Sequence, residues 1–466
     1  MTKTTSLNYL NGKKVAILGL GTENLEMMKY LLDKNVIPQY TIFDNRPQKL
    51  LNEKYPIIKK LSVSGWIGPG DNNQDKSFHI AFRSPGWPTF CPTLIWLKKN
   101  GTNISSPMNL FFEICPSKNI VGVTGSKGKG TTSSLIFRIL RKAGKNVYLG
   151  GNIGIPPFSF LNKISSSDWI VLELSSFQLE DLEFSPHISV ITNFTPEHLS
   201  PADPLNPNYH KSLTAYWKAK CNIFKYQKRG SFLIINSNIK RNVRHPGKLL
   251  RFSADAAGTD SYFEGDVLHL LKDRTRIRTN LPGIHNKENI AAAALATVIA
   301  GANISQIANA VKVFKGLEHR IERVALIDGV EYFDDSFATT PESTITAIKS
   351  FNSRIILLAG GAEKNSSFGK LAILMKKREI TPILFDGKAT PRLKSELLKC
   401  GYLHKEIHEV SSMTKAVQTA HRLAKPGSIV LLSTACASFG LFENYKQRGD
   451  LFKKEVRKLL KSSKDI

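Results

Sequence analysis

The sequence predicts an α/β protein built as three successive domains: a Rossmann-like N-terminal domain, a central parallel-sheet domain with a mononucleotide-binding P-loop, and a Rossmann-like C-terminal domain. Three observations carry this. Short apolar, β-branched runs alternate with amphipathic helical stretches along the whole chain. Two of the strand–helix junctions are glycine-rich turns. The 466 residues amount to about three domains of ~150 residues each.

The first series opens with the strand Lys14–Leu18 and turns through Gly19-Leu20-Gly21. It continues into a helix over about 23–33 and returns in a strand ending at Phe43-Asp44. That is a βαβ start of the dinucleotide-binding kind, with Asn24 in place of the third glycine of GxGxxG. A further strand ends before Ser84-Pro85-Gly86, and Ser106-Pro107 marks a break, so residues 1–106 are the first expected domain.

The second series, residues 107–316, begins at GVTGSKGKGTT (122–132), set between an apolar run and a helical stretch. Glycines and lysines delivered onto a helix start form a cradle of backbone N–H groups at a positive helix end, which suits phosphate. Gly125, Ser126, Lys127, Gly128, Lys129, Gly130 and Thr131 are its candidate residues, and Lys129 would reach the terminal phosphates. The loop departs from a regular Walker A sequence: Val123 holds the first glycine position, and Gly130 stands where Ser or Thr is expected. A glycine-rich turn with no ligand is the competing reading.

In the following helix Leu135, Ile136, Ile139, Leu140 and Ala143 fall at helical spacing, and Gly144 stops it. Strands follow at 169–174, 189–192 and 232–235, then a proline-rich loop at 201–207 and a buried alanine-rich helix at 290–300. Glu173 closes the first of these strands and His198 follows the second. Both therefore lie at the carboxyl ends of strands in the sheet that carries Lys129, where α/β folds bind ligands. Glu173 suits a magnesium ligand; a solvated carboxylate and a structural histidine are the alternatives.

The third series, 317–466, places strands near 330–333, 355–359, 383–385 and 429–432 and ends in a lysine-rich helix. Asp334-Asp335 close the first of these strands, positioned for a metal, a ribose or a helix cap. Arg320 suits a phosphate clamp or an ion pair between domains. His404 and His408 do not form an HExxH motif and read as surface residues.

Composition bounds the class. Sixty-five Lys and Arg against 38 Asp and Glu leave +27, which admits nucleic acid, but the basic residues are dispersed and no nucleic-acid-binding signature accompanies them. The five cysteines are scattered without a CxxC pair, which excludes a zinc ribbon or disulfide scaffold. No apolar run reaches the ~18 residues of a membrane span and no signal-peptide core is present, so a cytoplasmic protein without membrane insertion is expected; a monomer is the default expectation.

Taken in order, TGSKGKGTT, GGNIG, ELSSFQLE, NFTPEHL, LPGIHNKEN, EHR, DDSFATTP and LLSTACASFGLFENYKQRGDLF resemble the Mur ligases of peptidoglycan synthesis. ELSSFQLE and the last block point to the branch that adds D-glutamate. The resemblance spans essentially the whole chain. It implies ATP-dependent amide formation through an acyl phosphate, with ATP and Mg²⁺ as cofactors and UDP-N-acetylmuramoyl-L-alanine and D-glutamate as substrates. Lys129, Glu173, His198 and Lys220 would be catalytic; Thr131, Glu173, His198 and Lys220, the last as a carbamate, would serve the metal. Asn286, Asn289, Arg320 and Asp335 would join the loop in holding ATP. Asp44, Arg46, Ser84, Gly86, Asn152, Ser175 and Gln178 would bind the UDP substrate, and Thr339, Lys364, Ser438 and Tyr445 the amino acid. Phe337 stands where relatives often carry lysine, and Thr434 and Gly440 replace a common Pro and Asp. Competing readings are another amide ligase of the superfamily such as a folylpolyglutamate synthase, a basic nucleic-acid-binding P-loop ATPase, and a ligase-like protein without activity.

Overall fold

The structure, a computed structural model, describes residues 7–68, 77–201, 207–363, 366–438 and 440–462. The chain packs into two compact units, residues 1–278 with 287–312, and residues 279–286 with 313–466.

The first unit holds two sheets. Strands β1 (Lys14–Leu18), β2 (Gln39–Phe43), β3 (Val63–Ile67), β4 (Ile80–Arg83) and β5 (Asn103–Ser105) form an all-parallel sheet in the order β3-β2-β1-β4-β5. The helix Thr22–Asp33 crosses from β1 to β2, and the missing third glycine has a physical substitute. Asn24 is buried and its Nδ2 donates to Gly19 O at 2.8 Å, so the side chain closes the turn itself.

The second sheet contains β6 (Ile120–Thr124), β7 (Val147–Gly151), β8 (Trp169–Glu173), β9 (Ile188–Ile191), β10 (Phe232–Asn236), β11 (Lys248–Phe252), β12 (Ser261–Glu264), β13 (Val267–Leu270) and β14 (Asp273–Arg276). Its order is β14-β13-β12-β11-β10-β9-β6-β8-β7. From β7 to β12 neighbours run parallel, and all of β6 is buried, as a continuous apolar run requires. The hairpins β12–β13 and β13–β14 are antiparallel, a departure from the purely parallel sheet expected. Their polar, arginine-rich residues 273–278 carry no apolar run that would reveal a strand.

Ser106-Pro107, read as a domain break, is a helix start: Ser106 Oγ accepts from Asn109 N at 3.2 Å and caps the helix Pro107–Ile114. Phe111 and Phe112 of that helix join one apolar core running from Val15 and Ile17 to Ile170 and Leu172. The two sheets of this unit therefore share a core.

In the second unit β15 (Glu322–Ile327) pairs antiparallel with β16 (Val330–Asp334). It is followed in the sheet by β20 (Ile429–Leu432), β17 (Ile355–Ala359), β18 (Thr381–Phe385) and β19 (His408–Val410), all parallel. Alternate residues enter opposite cores: Leu357 and Leu431 on one face, Ile356, Leu358, Val430 and Leu432 on the other. The cap of the helix Pro341–Lys349 is Thr340, so capping does not occupy Asp334 or Asp335.

Loss of the Ser106 cap should be measurable. Ser106→Ala is expected to destabilise the first unit by about 1 kcal/mol while Ser106→Asp retains most of the stability. Urea titration followed by tryptophan fluorescence reads this, and equal midpoints for Ser106→Ala and wild type would refute it.

Candidate active site

Strands β9, β6 and β8 are adjacent and parallel, and Val123 on β6 pairs with Glu173 on β8. Glu173 is the last residue of β8, and the segments that leave the carboxyl ends of β9 and β6 carry His198 and Lys129, so these three residues belong to one edge of one sheet. A Cβ on Gly125 would collide with Thr192 Oγ1, which itself donates to Lys127 O at 2.6 Å. Gly128 caps the helix Lys129–Lys142 in the left-handed region (φ 83°), and a Cβ there would strike Asn289 Oδ1. These two glycines are required by the space around the loop.

Lys129 Nζ donates to Gly125 O and Ser126 O, both at 2.9 Å. Lys220 Nζ, from the helix Leu213–Lys225, donates to the same Gly125 O at 2.9 Å and lies 4.5 Å from the centre of the Tyr216 ring. Lys220 is 1% exposed. Burial first, and then the nearby Lys129 charge, hold its amine well below the usual lysine range. Ser126 Oγ donates to Thr195 O at 2.9 Å and lies 3.0 Å from Tyr216 OH, tying the loop to the β9 exit.

Gly130 lies buried in the first helical turn. Thr132 is fully buried and its Oγ1 donates to Asn289 Oδ1 at 3.2 Å. Half-buried Thr131 is thus the hydroxyl left for a metal or phosphate.

Glu173 is 4% exposed, and its Oε1 accepts from Asn152 Nδ2 at 2.8 Å. His198 has a left-handed backbone (φ 58°). Burial, reinforced by the Lys129, Lys220 and His210 charges, lowers its imidazole to about 4 against the pull of Glu197. It is neutral at pH 7 and keeps a nitrogen lone pair for a cation.

Glu197, Tyr216 and His210 were not anticipated from sequence. Glu197 pairs with Lys127 at 2.8 Å. His210 is 2% exposed, its ring Nε2 lies 2.9 Å from Ser176 Oγ, and its backbone N–H donates to His198 O at 2.8 Å. Position beside His198 was the available signal for Glu197; His210 follows the 202–206 segment, which lies outside the described residues, and had none.

The other candidates form two further groups. In the first unit Asp44 is fixed by Leu20 N at 2.8 Å and by a bidentate pair with Arg46 (2.8 and 2.7 Å). Burial pushes its carboxyl up, but the Arg46 and Leu20 hydrogen bonds outweigh this and hold it low. Ser84 and Gly86 lie in the turn after β4, beside Gly19. Ser175 and Gln178 form a reciprocal capping box, and Gln178 Nε2 donates to Glu23 at 2.6 Å.

In the second unit Asp335 accepts from Ser433 Oγ at 2.8 Å and Ile321 N at 3.2 Å, and burial raises its carboxyl to about 7. The Arg320 guanidinium lies 3.8 Å from the centre of the Phe337 ring, which meets Tyr445 edge-on at 5.0 Å. Asn286 donates to Pro282 O at 2.7 Å, Thr339 is half-buried, and Ser438 is 6% exposed. Lys364 lies outside the described residues.

The donor chemistry fits a hard divalent cation held with a polyphosphate: the buried Glu173 carboxylate, the Thr131 hydroxyl and a neutral imidazole. No helix among the described residues is long and apolar enough to cross a membrane.

Comparison with known proteins agrees. A family model described as the Mur ligase middle domain matches residues 123–297, and one described as the Mur ligase, glutamate ligase domain matches 319–436. The chain is 34% identical to the UDP-N-acetylmuramoylalanine–D-glutamate ligase of Acetivibrio thermocellus, over 97% of both chains. It is 35% identical to the protein of the same name from Symbiobacterium thermophilum, over 96% of this chain and 98% of the relative. Two solved structures from Thermotoga maritima share its fold. They are a UDP-N-acetylmuramate-alanine ligase (17% identity, 97% of this chain and 100% of that one, TM-score 0.57) and a MurF ligase in complex with ADP (16%, 91% and 96%, TM-score 0.59).

The buried Lys220 amine makes a stability prediction. The unfolded chain keeps this proton up to the ordinary lysine value of 10.5, whereas the folded chain releases it at lower pH. Unfolding therefore takes up a proton in that window, and stability rises with pH across it. Lys220→Met removes this slope and should raise the thermal midpoint at pH 7, by roughly 1–2 °C for each kcal/mol gained. Calorimetry across pH tests it; a lower midpoint at pH 7 would count against a burial penalty on the Lys220 charge.

Proposed function

This chain belongs to the Mur ligase family, and on that premise we propose that it joins D-glutamate to UDP-N-acetylmuramoyl-L-alanine in the cytoplasm, using ATP and Mg²⁺. The observation that carries the ATP half is the convergence of Lys129 and Lys220 on the Gly125 carbonyl, beside Glu173 and His198. The amino-acid half is supported by full-length similarity to relatives that bear that activity in their names. Segments 1–106, 107–316 and 317–466 would divide the work into UDP-substrate, ATP and amino-acid binding.

A carboxylate is a poor acyl donor because its leaving group would be an oxide. Its attack on the γ-phosphate gives an acyl phosphate and ADP, and the D-glutamate amine then expels phosphate and forms the amide. The demand on the protein is to stabilise negative charge spreading over the transferred phosphoryl group. Lys129 supplies a cation at the helix start where that group would lie, and the loop N–H groups add to it. Mg²⁺, when bound, neutralises phosphate charge and draws the oxygens together.

Glu173, His198 and Thr131 would hold the metal. Asn152 orients the Glu173 carboxylate by its 2.8 Å hydrogen bond. An ammonium cannot ligate a cation, but a neutral amine captures CO₂ and becomes a carbamate with hard anionic oxygens. Burial favours the neutral form of the Lys220 amine, which is the condition this modification needs. Asn289, Asn286, Arg320 and Asp335 would hold the nucleotide, and Thr339, Lys364, Ser438 and Tyr445 the D-glutamate.

The test incubates the protein with ATP, Mg²⁺, UDP-N-acetylmuramoyl-L-alanine and, separately, D-glutamate, L-glutamate, L-lysine or meso-diaminopimelate. ADP and a product of the mass of the D-glutamate adduct are expected with D-glutamate alone, and their absence overturns the reading. Lys129→Ala should lower turnover by about 10³-fold. Lys220→Ala should be inactive and regain activity with added short carboxylates; full activity without them would exclude the carbamate.

A further inference from the structure

Arg83 closes β4, one residue before the Ser84-Pro85-Gly86 turn, and is 1% exposed. A buried guanidinium needs its donors satisfied, and here the partners come from two different sheets. Nη1 donates to Trp87 O at 2.7 Å, closing the turn that holds Ser84 and Gly86. Nη2 donates to Phe177 O at 2.8 Å, and Nε donates to Asp181 Oδ2 at 2.6 Å, with Glu180 at 3.4 Å. Phe177 lies in the helix Ser176–Leu179, which Ser175 caps and which includes Gln178.

Two lesser straps run parallel to it. Asn208 Nδ2 donates to Pro85 O at 2.7 Å and lies 3.3 Å from Glu180, and Gln178 reaches Glu23. Glu180 also lies 3.3 Å from His210 Nδ1, and the His210 N–H holds the His198 carbonyl.

We propose that Arg83 is a positioning residue that fixes the span between the two halves of the UDP-substrate site, the Ser84–Gly86 turn on the first sheet and Ser175 with Gln178 on the second. This rests on the assignment of those residues to the UDP substrate. The substrate is long, with uridine diphosphate at one end and the reacting alanine carboxylate at the other. A fixed span delivers that carboxylate to the phosphoryl group when the far end is seated. Lysine cannot replace Arg83, because one ammonium lacks the planar fork that reaches Trp87, Phe177 and Asp181 together.

The test uses full-length Arg83→Lys and Asp181→Asn. Arg83→Ala is unsuitable because it strands Asp181, whose Oδ1 is already buried without a hydrogen-bond partner. UDP and UDP-N-acetylmuramoyl-L-alanine are titrated by calorimetry, and KM and kcat are measured for each substrate. Arg83→Lys should weaken UDP-N-acetylmuramoyl-L-alanine about tenfold and raise its KM alike, while UDP affinity and the KM for ATP change less than about threefold. Asp181→Asn should shift the same values in the same direction by less. Unchanged affinity for the full substrate in both variants overturns the inference, as does equal loss of UDP and full substrate. Wild-type protein that binds neither compound overturns the substrate assignment as well, whereas wild-type binding with unaltered variants overturns the role of Arg83 alone.

Discussion

Two lysine amines share one acceptor, the Gly125 carbonyl, and this constraint organises the candidate site. Like charges at such separation repel strongly where water is scarce. Burial places the conflict on Lys220, holding its amine well below the usual lysine range, and the Lys129 charge adds to that shift. The loop geometry follows from the same arrangement. Gly125 must present its carbonyl to both amines from a backbone where a Cβ would collide with Thr192. Ser126 then turns inward to Tyr216 and Thr195, which fixes the β9 exit and with it Glu197 and His198. A modest change in loop conformation would therefore reach Tyr216, Thr195 and the segment that carries Glu197 and His198.

Much of the fold was legible because buried parallel strands must be apolar along their whole length. The runs at β1, β6, β8, β9, β17 and β20 stood out for that reason, and the strand-end positions of Lys129, Glu173 and His198 followed. The hairpins β12–β13 and β13–β14 and the edge strand β15 did not stand out. They are half-exposed, with burial alternating or absent, and arginines and aspartates at the sheet margin look like loop. Asn24 breaks the glycine fingerprint in sequence, yet its side-chain amide closes the turn locally.

The site was legible where one motif carried both the residue and its context. Lys129 and its cradle are contiguous in sequence, as are Glu197 and His198. Residues whose role depends on long-range contact were silent. His210, Tyr216 and Arg83 have no local pattern, because what defines them is burial against segments 34, 90 and about 95 residues away. Lys220 came from family resemblance alone. Its environment, a lysine sealed between an aromatic ring and a carbonyl, supplies the physical reason that the sequence could not.

Phe337 shows how a departure from the family pattern can be absorbed. Replacing a lysine by phenylalanine removes a cation, which alone would weaken the hold on anionic substrate groups. In this chain the Arg320 guanidinium lies over the Phe337 ring at 3.8 Å, and the Phe337 and Tyr445 rings meet in a T-shaped contact at 5.0 Å. A ring in that position attracts the guanidinium by about 0.5–2 kcal/mol and limits its rotamers. Phenylalanine thus exchanges a mobile charge of its own for a fixed orientation of the neighbouring one. The exchange is consistent only if Arg320 and Tyr445 act on parts of the reaction that must be aligned with each other. That is the demand of a ligase, in which the phosphoryl donor must reach a carboxylate oxygen and the incoming amine the carbon that bears it.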